Sequence, residues 1–460
     1  LAVSVLLFFV SNFILLIFDE SRVTFQNIFF GGFFFEGLHS NFNFGLDGLG
    51  LSLFLLTTFL TPLCLIFSWL TVRKFSDFFM FLFLVIEVMT LVVFSTSDII
   101  LFFVFFEGVL IPMFLIIIIW GSRNRKIRAG FLFFLYTMMG SITMFVGLFL
   151  LMSVFKEYLS NYSIIFNFST FCIPQELQYI IWFCFFLSFS IKMPLLPFHV
   201  WLPEAHVEAP TAGSVFLAGV LLKLGTYGFL RYCVFILPEV TTFFLPIIFV
   251  LGSISLIYTS LTAIRQTDIK RIIAYSSVAH MSTVLMGMCC INEPFGIVGS
   301  IFQMFSHGLV SGGLFFCIGV VYDRIHSRSI NHYGGLSRSM PLFSIVFAFL
   351  LLANAGLPLT SNFVGEFLLC LAITLQSSFV GFIVLFSVVF SAVYCLWLLN
   401  QIIFMNLKTQ YVSTKNLYDL NSIEKFIFFP IVIGVLFFGL FPLFFIDYIY
   451  VNMFNFNNAY

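Results

Sequence analysis

Charge is scarce in this sequence. Only 9% of its 460 residues are Asp, Glu, Lys or Arg, where a soluble domain carries roughly 25%. With 61% hydrophobic and 20% aromatic residues, a soluble domain and a disordered chain are both excluded. A basic excess is missing as well. Lys plus Arg and Asp plus Glu are 20 each, so nothing holds a phosphate backbone and nucleic-acid binding is excluded. The nine cysteines lie almost all inside apolar stretches and form no C-x-x-C. They read as small packing residues, not as a disulfide, zinc or iron–sulfur framework. No G-x-G-x-x-G and no Walker A sequence occurs, so nucleotide binding has no motif here. The first apolar stretch lacks a basic leader and a small-residue cleavage site, and it reads as a structural helix rather than a secretory signal. The absence of a leader suits a protein made next to its own membrane.

What is abundant is long apolar runs. Stretches of about 20 residues, each long enough to cross a bilayer as a helix, recur along the whole chain. The sequence predicts thirteen, near 1–18, 49–71, 77–95, 98–120, 128–153, 178–203, 212–232, 241–264, 270–290, 296–321, 341–374, 380–404 and 426–450. They are twice the length of barrel strands and do not alternate polar with apolar residues. The expected fold is therefore an all-α integral membrane bundle.

If the helices alternate in direction, one side collects fifteen of the 20 basic residues. They include Arg73, Lys74, Arg123, Arg271, Arg324, Arg328, Lys408 and Lys415. Arg22, Lys156 and Arg231 fall on the other side, and Lys192 and Lys223 lie within spans. The positive-inside rule then puts the N-terminus on the inner side and the C-terminus on the outer.

An ionisable group in the bilayer core costs about 2.5–3.5 kcal/mol on insertion scales and is functional by default. The candidates are Glu87, Glu107, Lys192, Lys223, His280, His307 and Glu366. Glu107 is mid-span in FFVFFEGVLIPMF. Lys192 precedes Pro194 and Pro197, which break the helix and free carbonyls. Irregular backbone at that depth is tolerated only against protein or a watered cavity, so Lys192 is expected at a broken helix lining a hydrated space. The plainer alternative is a static Glu107–Lys192 ion pair. Lys223 lies among Ala218, Gly219 and Gly225, which allow close helix approach. Glu366 follows a second break at Pro358, where Asn362 is expected to satisfy freed backbone groups. Two interrupted helices at matching positions point to a transport site in an inverted repeat. The expected organisation is flanking helices over 1–97, a first repeat over 98–232 broken near 192–197, a second over 241–404 broken near 356–362, and a last loop and helix over 405–460. His280 and His307, singly, read equally as hydrogen-bonded core residues. In a row between Lys223 and Glu366 they read as a proton relay. Glu87 either pairs with a lysine or stays protonated and silent. Lys270 is expected to pass protons inward and Arg271 to anchor a helix start. The segment WLPEAHVEAPTAGS holds Glu204, His206 and Glu208. It reads as a loop forming a capped, buried turn on the inner side, with Thr211 capping the next helix; a metal site would need a third convergent ligand, and proton entry is the minor alternative.

Several of these segments resemble a known family. FFVFFEGVLIPMF, SIKMPLLPFHVWLPEAHVEAPTAGSVFLAGVLLKLGTYGFLRY, RQTDIKRIIAYSSVAHM and NFVGEF are similar to the chain 4 family of antiporter-like subunits of NADH–ubiquinone oxidoreductase, respiratory complex I. The likeness runs from about Asn43 to the last span, and Glu366 stands where sister subunits carry Lys. The resemblance implies fourteen helices with two inverted five-helix repeats. The one missing here is the first, through a shortened copy, a separately supplied piece or an incomplete sequence. Leu359 replaces the family's usual Gly at the second break. By resemblance, Glu107 modulates Lys192, Lys223 continues the axis through His280 and His307, and Glu366 ends it. The implied function is proton translocation from matrix to intermembrane space, driven by quinone reduction elsewhere in the complex. The expected location is the mitochondrial inner membrane, with the N-terminus on the matrix side and the C-terminus on the intermembrane side. Flavin, iron–sulfur clusters and the quinone site are expected in other subunits, with no cofactor or metal in this chain. The expected partners are the two sister antiporter-like subunits, other membrane-arm and supernumerary subunits, and lipids. A subunit of a multi-subunit sodium/proton antiporter, or a purely structural membrane subunit, are the alternatives.

Overall fold

In the computed structural model, residues 1–19, 25–35, 40–155, 173–406, 408 and 417–448 are described. Arg22, Lys156, Cys172 and Lys415 lie outside them. Helices stand at each expected apolar stretch: α1 (Ala2–Ile17), α2 (Gly48–Thr71), α3 (Ser76–Ser95), α4 (Ile99–Trp120), α5 (Lys126–Phe155), α6 (Gln175–Lys192), α7 (Trp201–Glu208), α8 (Thr211–Phe235), α9 (Pro238–Arg265), α10 (Ile269–Met288), α11 (Pro294–Ile325), α12 (Pro341–Asn354), α13 (Ser361–Gln376), α14 (Ser378–Phe404) and α15 (Ser422–Leu440). A two-stranded antiparallel hairpin, β1 (Gln26–Phe35) and β2 (Ser40–Leu46), precedes α2. Among the described residues, nine helices are long and apolar enough to cross a membrane.

The termini of these helices follow local chemistry. Asp47, Asp98 and Asp268 accept hydrogen bonds from the Gly50, Ile100 and Lys270 amides, at 2.9, 2.8 and 3.1 Å. They satisfy donors that no helix supplies for itself. Pro238, Pro294 and Pro341 open helices where no amide hydrogen is needed. The polarity of the packing is that of a membrane protein. α8 and the apolar core of α11 are buried at the centre, while the outer helices present Phe149, Phe243, Phe379, Phe382 and Leu396 to the exterior.

Four local details depart from expectation. The WLPEAHVE segment is a helix, α7, rather than a loop. Thr211 is the first residue of α8 and Pro210 occupies the cap position, with no side-chain cap. Proline's fixed backbone angle already pre-sets the start, so no hydroxyl is called for. The break between α12 and α13 is closed by backbone: Leu357 N–H donates to Leu352 O and Gly356 N–H to Ala353 O, at 3.0 and 3.1 Å, with Gly356 at φ 82°. Asn362 is buried and both its amide atoms lack partners, so it does not serve that break. Finally, α4 has an unforeseen interruption at Val109, directly after Glu107 and Gly108. Pro112 follows and leaves the Gly108 carbonyl without a helical donor.

Candidate functional site

The interruptions place the ionisable groups. Lys192 is the last residue of α6, where Pro194 ends the helical ladder. The freed carbonyl of Ile191 accepts from the Trp201 indole at 2.9 Å. Released from the helix end, the Lys192 ammonium crosses to α4. It lies 3.2 Å from Glu107 Oε1, donates to Phe106 O at 2.8 Å and sits over the Phe106 ring. The pair is largely buried, with 11% and 16% of the two side chains exposed. Lys192 also lines a small cavity of about 20 Å³, together with Thr137, Trp201 and Leu224. Gly225 lets α8 approach this corner, since a Cβ there would lie 3.0 Å from that of Lys192.

Lys223 follows a wide π-turn over Leu217–Leu221, an irregularity frequent at functional sites. Its ammonium donates to the Ala218 carbonyl and meets His307 Nδ1 at 2.9 Å. Both side chains are fully buried. The His307 and His280 rings are 5.5 Å apart, and His280 Nδ1 lies 3.1 Å from Glu366 Oε1. Gly356 makes room for Glu366, because a Cβ there would approach the carboxylate to 2.7 Å. The structure thus gathers the six predicted residues into two groups, Glu107–Lys192 and Lys223–His307–His280–Glu366. Among the described residues no hydrogen bond joins Lys192 to Lys223.

The remaining candidates separate. Glu87 is buried, accepts from Thr61 Oγ1 at 2.6 Å, and forms no ion pair among the described residues. Glu204 pairs with Arg271 at 2.7 Å. Glu208 faces Arg328 at 3.9 Å, and His206 stacks on Phe315. Three different partners draw these groups apart, so they do not converge on one centre. Lys270 is buried and donates to Ala209 O at 2.9 Å, which ties α10 to the turn before α8. Arg231, at the opposite end, pairs with Asp47 and lies over Tyr227.

Sequence reasoning passed over Gln303 and Tyr394. Gln303 is one turn from His307, fully buried, with its Nε2 unbonded, against Gly365. A glutamine four residues before a mid-span histidine was the available signal. Tyr394 is buried near His280 and Glu366. No pattern of letters singles out one tyrosine among 16.

Residues 96–393 match the family described as NADH:quinone oxidoreductase/Mrp antiporter, TM. The chain is 46% identical to NADH-ubiquinone oxidoreductase chain 4 of Marchantia polymorpha over 419 residues, covering 91% of this chain and 83% of that one. It is 45% identical to the protein of the same name from Arabidopsis thaliana over 461 residues, covering 99% and 90%. A chain of respiratory complex I from Thermus thermophilus with bound NADH superposes with a TM-score of 0.89 at 26% identity, covering 98% of this chain and 93% of that one. The chain belongs to the NADH:quinone oxidoreductase/Mrp antiporter membrane family, in its NADH–ubiquinone oxidoreductase chain 4 branch.

Proposed function

We propose that the buried line from Glu107 to Glu366 is the route by which this proton-translocating membrane-arm subunit of NADH:ubiquinone oxidoreductase moves its protons. The observation that carries the reading is the run of contacts Lys223–His307–His280–Glu366, which crosses the bundle through the buried core of α11. Lys192 is loaded from the basic end. The distance from Glu107 sets how firmly Lys192 holds its proton, and two groups this close titrate as a pair. The proton passes to Lys223, along His307, His280 and water, to Glu366, and leaves toward the opposite face or a neighbouring subunit. The free energy comes from quinone reduction elsewhere and reaches this chain as coupling between distant sites.

Two inverted repeats, 98–232 and 241–404, account for the paired breaks after Lys192 and Asn354. Flavin, iron–sulfur clusters and quinone are held by other subunits. The two sister antiporter-like subunits and supernumerary subunits are the neighbours, and lipid covers the Phe-rich exterior. The location is the mitochondrial inner membrane, with the N-terminus of this sequence facing the matrix and its C-terminus the intermembrane space.

Migration of the chain in a large assembly with NADH dehydrogenase activity, containing flavin and iron–sulfur subunits, is the expected result. Isolation in a cation/proton exchanger without those subunits would favour the antiporter reading that the family's description also contains.

A further inference from the structure

Beside the Glu366 end of the line lies a cavity of about 30 Å³, room for about one or two waters, between α9, α10, α13 and α14. Its walls are mostly carbon, but His280, Glu366 and Tyr394 all face it. Tyr394 is 2% exposed. Its hydroxyl makes no hydrogen bond of good geometry, although the polar side chains of Ser276 and Asn354 flank it. His280 Nε2, the nitrogen not engaged with Glu366, is unbonded as well.

The wall hydroxyls do not meet these needs. Ser260 donates to Leu256 O at 2.8 Å, Thr283 to His280 O at 2.8 Å, Ser387 to Val384 O at 2.6 Å and Ser391 to Val388 O at 2.7 Å. Their protons are committed to their own helices, and only lone pairs remain for the cavity. A buried phenol and a buried imidazole nitrogen left without partners cost about 1–3 kcal/mol each. A cavity with two to four polar partners around it holds water that satisfies them.

The imidazole has a second requirement. To pass a proton to Glu366 from Nδ1 repeatedly, it must gain one at Nε2 each time. Nδ1 faces Glu366, so Nε2 needs its own donor. We propose that Tyr394 is a positioning residue for this transfer: its hydroxyl anchors the cavity water that hands one proton to His280 Nε2 and regains one from the neighbouring His307, while Nδ1 releases one to the Glu366 carboxylate. A phenol both donates and accepts, so it holds the water whichever way the proton moves. The inference rests on the His280–Glu366 reading above.

The test is Tyr394→Phe in the assembled complex reconstituted in liposomes. The substitution keeps ring and volume and removes only the hydroxyl. Pumping-coupled NADH oxidation is expected to fall about five-fold, the size of one hydrogen bond in a rate, with a raised solvent deuterium isotope effect. The amount of assembled complex stays constant. Ser391→Val, which fills the cavity with carbon and leaves Tyr394 in place, is expected to act in the same direction and decides the matter if Tyr394→Phe does not assemble. A normal rate and isotope effect in an assembled variant overturns the inference. If His280→Gln and Glu366→Gln are impaired in parallel, only the tyrosine assignment falls; if they too pump normally, the parent route falls with it.

Discussion

Lys223 Nζ stands 2.9 Å from His307 Nδ1, across α8 and α11, with no exposed surface on either side chain. An ammonium facing an imidazole nitrogen is one hydrogen bond over which a proton transfers without movement of either helix. Lys223→Gln keeps a donor, one bond shorter, but carries no transferable charge. It is expected to lower proton pumping as far as Lys223→Ala does, measured in reconstituted complex. Wild-type pumping by Lys223→Gln would reduce Lys223 to a hydrogen-bond donor.

Glu107 acts on Lys192 through charge. Glu107→Gln removes that charge at 3.2 Å. Where one unit of proton affinity is at stake the effect is about tenfold, so coupled turnover is expected to drop by roughly that factor. Glu107→Asp keeps the charge and loses only reach, so it should be milder. Equal behaviour of the two variants, in pumping assays on equally assembled complex, would show that charge is not the operative property.

Leu359 carries φ 76° at the second break, a conformation that side chains with a Cβ resist. Such residues cost of order 1–3 kcal/mol, against about 0.5–1 kcal/mol for the extra freedom of an unfolded glycine. Leu359 is 63% exposed, so little packing is lost on its removal. Leu359→Gly is expected to raise stability by about 1 kcal/mol, seen as a higher thermal midpoint of the solubilised protein. A lower midpoint would mean that the leucine side chain matters more than its backbone.

Asp419 lies between α14 and α15 and accepts from the Leu342 and Phe343 amides at the start of α12, at 2.9 and 3.1 Å. Burial works against its charge. The Leu342, Leu420 and Phe343 amides and Lys425 outweigh this and hold its carboxyl below the usual range. The stabilisation is therefore present above the ordinary aspartate value and is lost as pH falls toward the lower folded one. Asp419→Asn is expected to cost less than about 1 kcal/mol at neutral pH, because solvent still reaches and screens this partly exposed group. The difference from wild type should vanish in strong acid, in unfolding curves against pH. A difference independent of pH would rule out the charge as its source.

Spans were legible because twenty apolar residues in a row have few folded alternatives, and the buried charges were legible because they are so costly in lipid. Both proline breaks were placed for the same reason: proline cannot continue the ladder. What escaped was set by three-dimensional proximity. The wide turn before Lys223 and the interruption of α4 after Glu107 are backbone adjustments with no composition of their own. Asn362 looked suited to the second break, yet Gly356 closes it through main-chain hydrogen bonds. Gln303 and Tyr394 are ordinary letters until packing brings them beside His307 and His280. Glu204, His206 and Glu208 lie close in sequence, and only the fold shows them turning to Arg271, Phe315 and Arg328.

The most direct measurement is the number of protons translocated per NADH oxidised by an assembled complex carrying Lys192→Ala. A lower ratio than wild type, with assembly and NADH oxidation by artificial acceptors intact, is expected if the buried line carries protons. An unchanged ratio in an intact complex would contradict it and leave the Glu107–Lys192 pair as a structural contact.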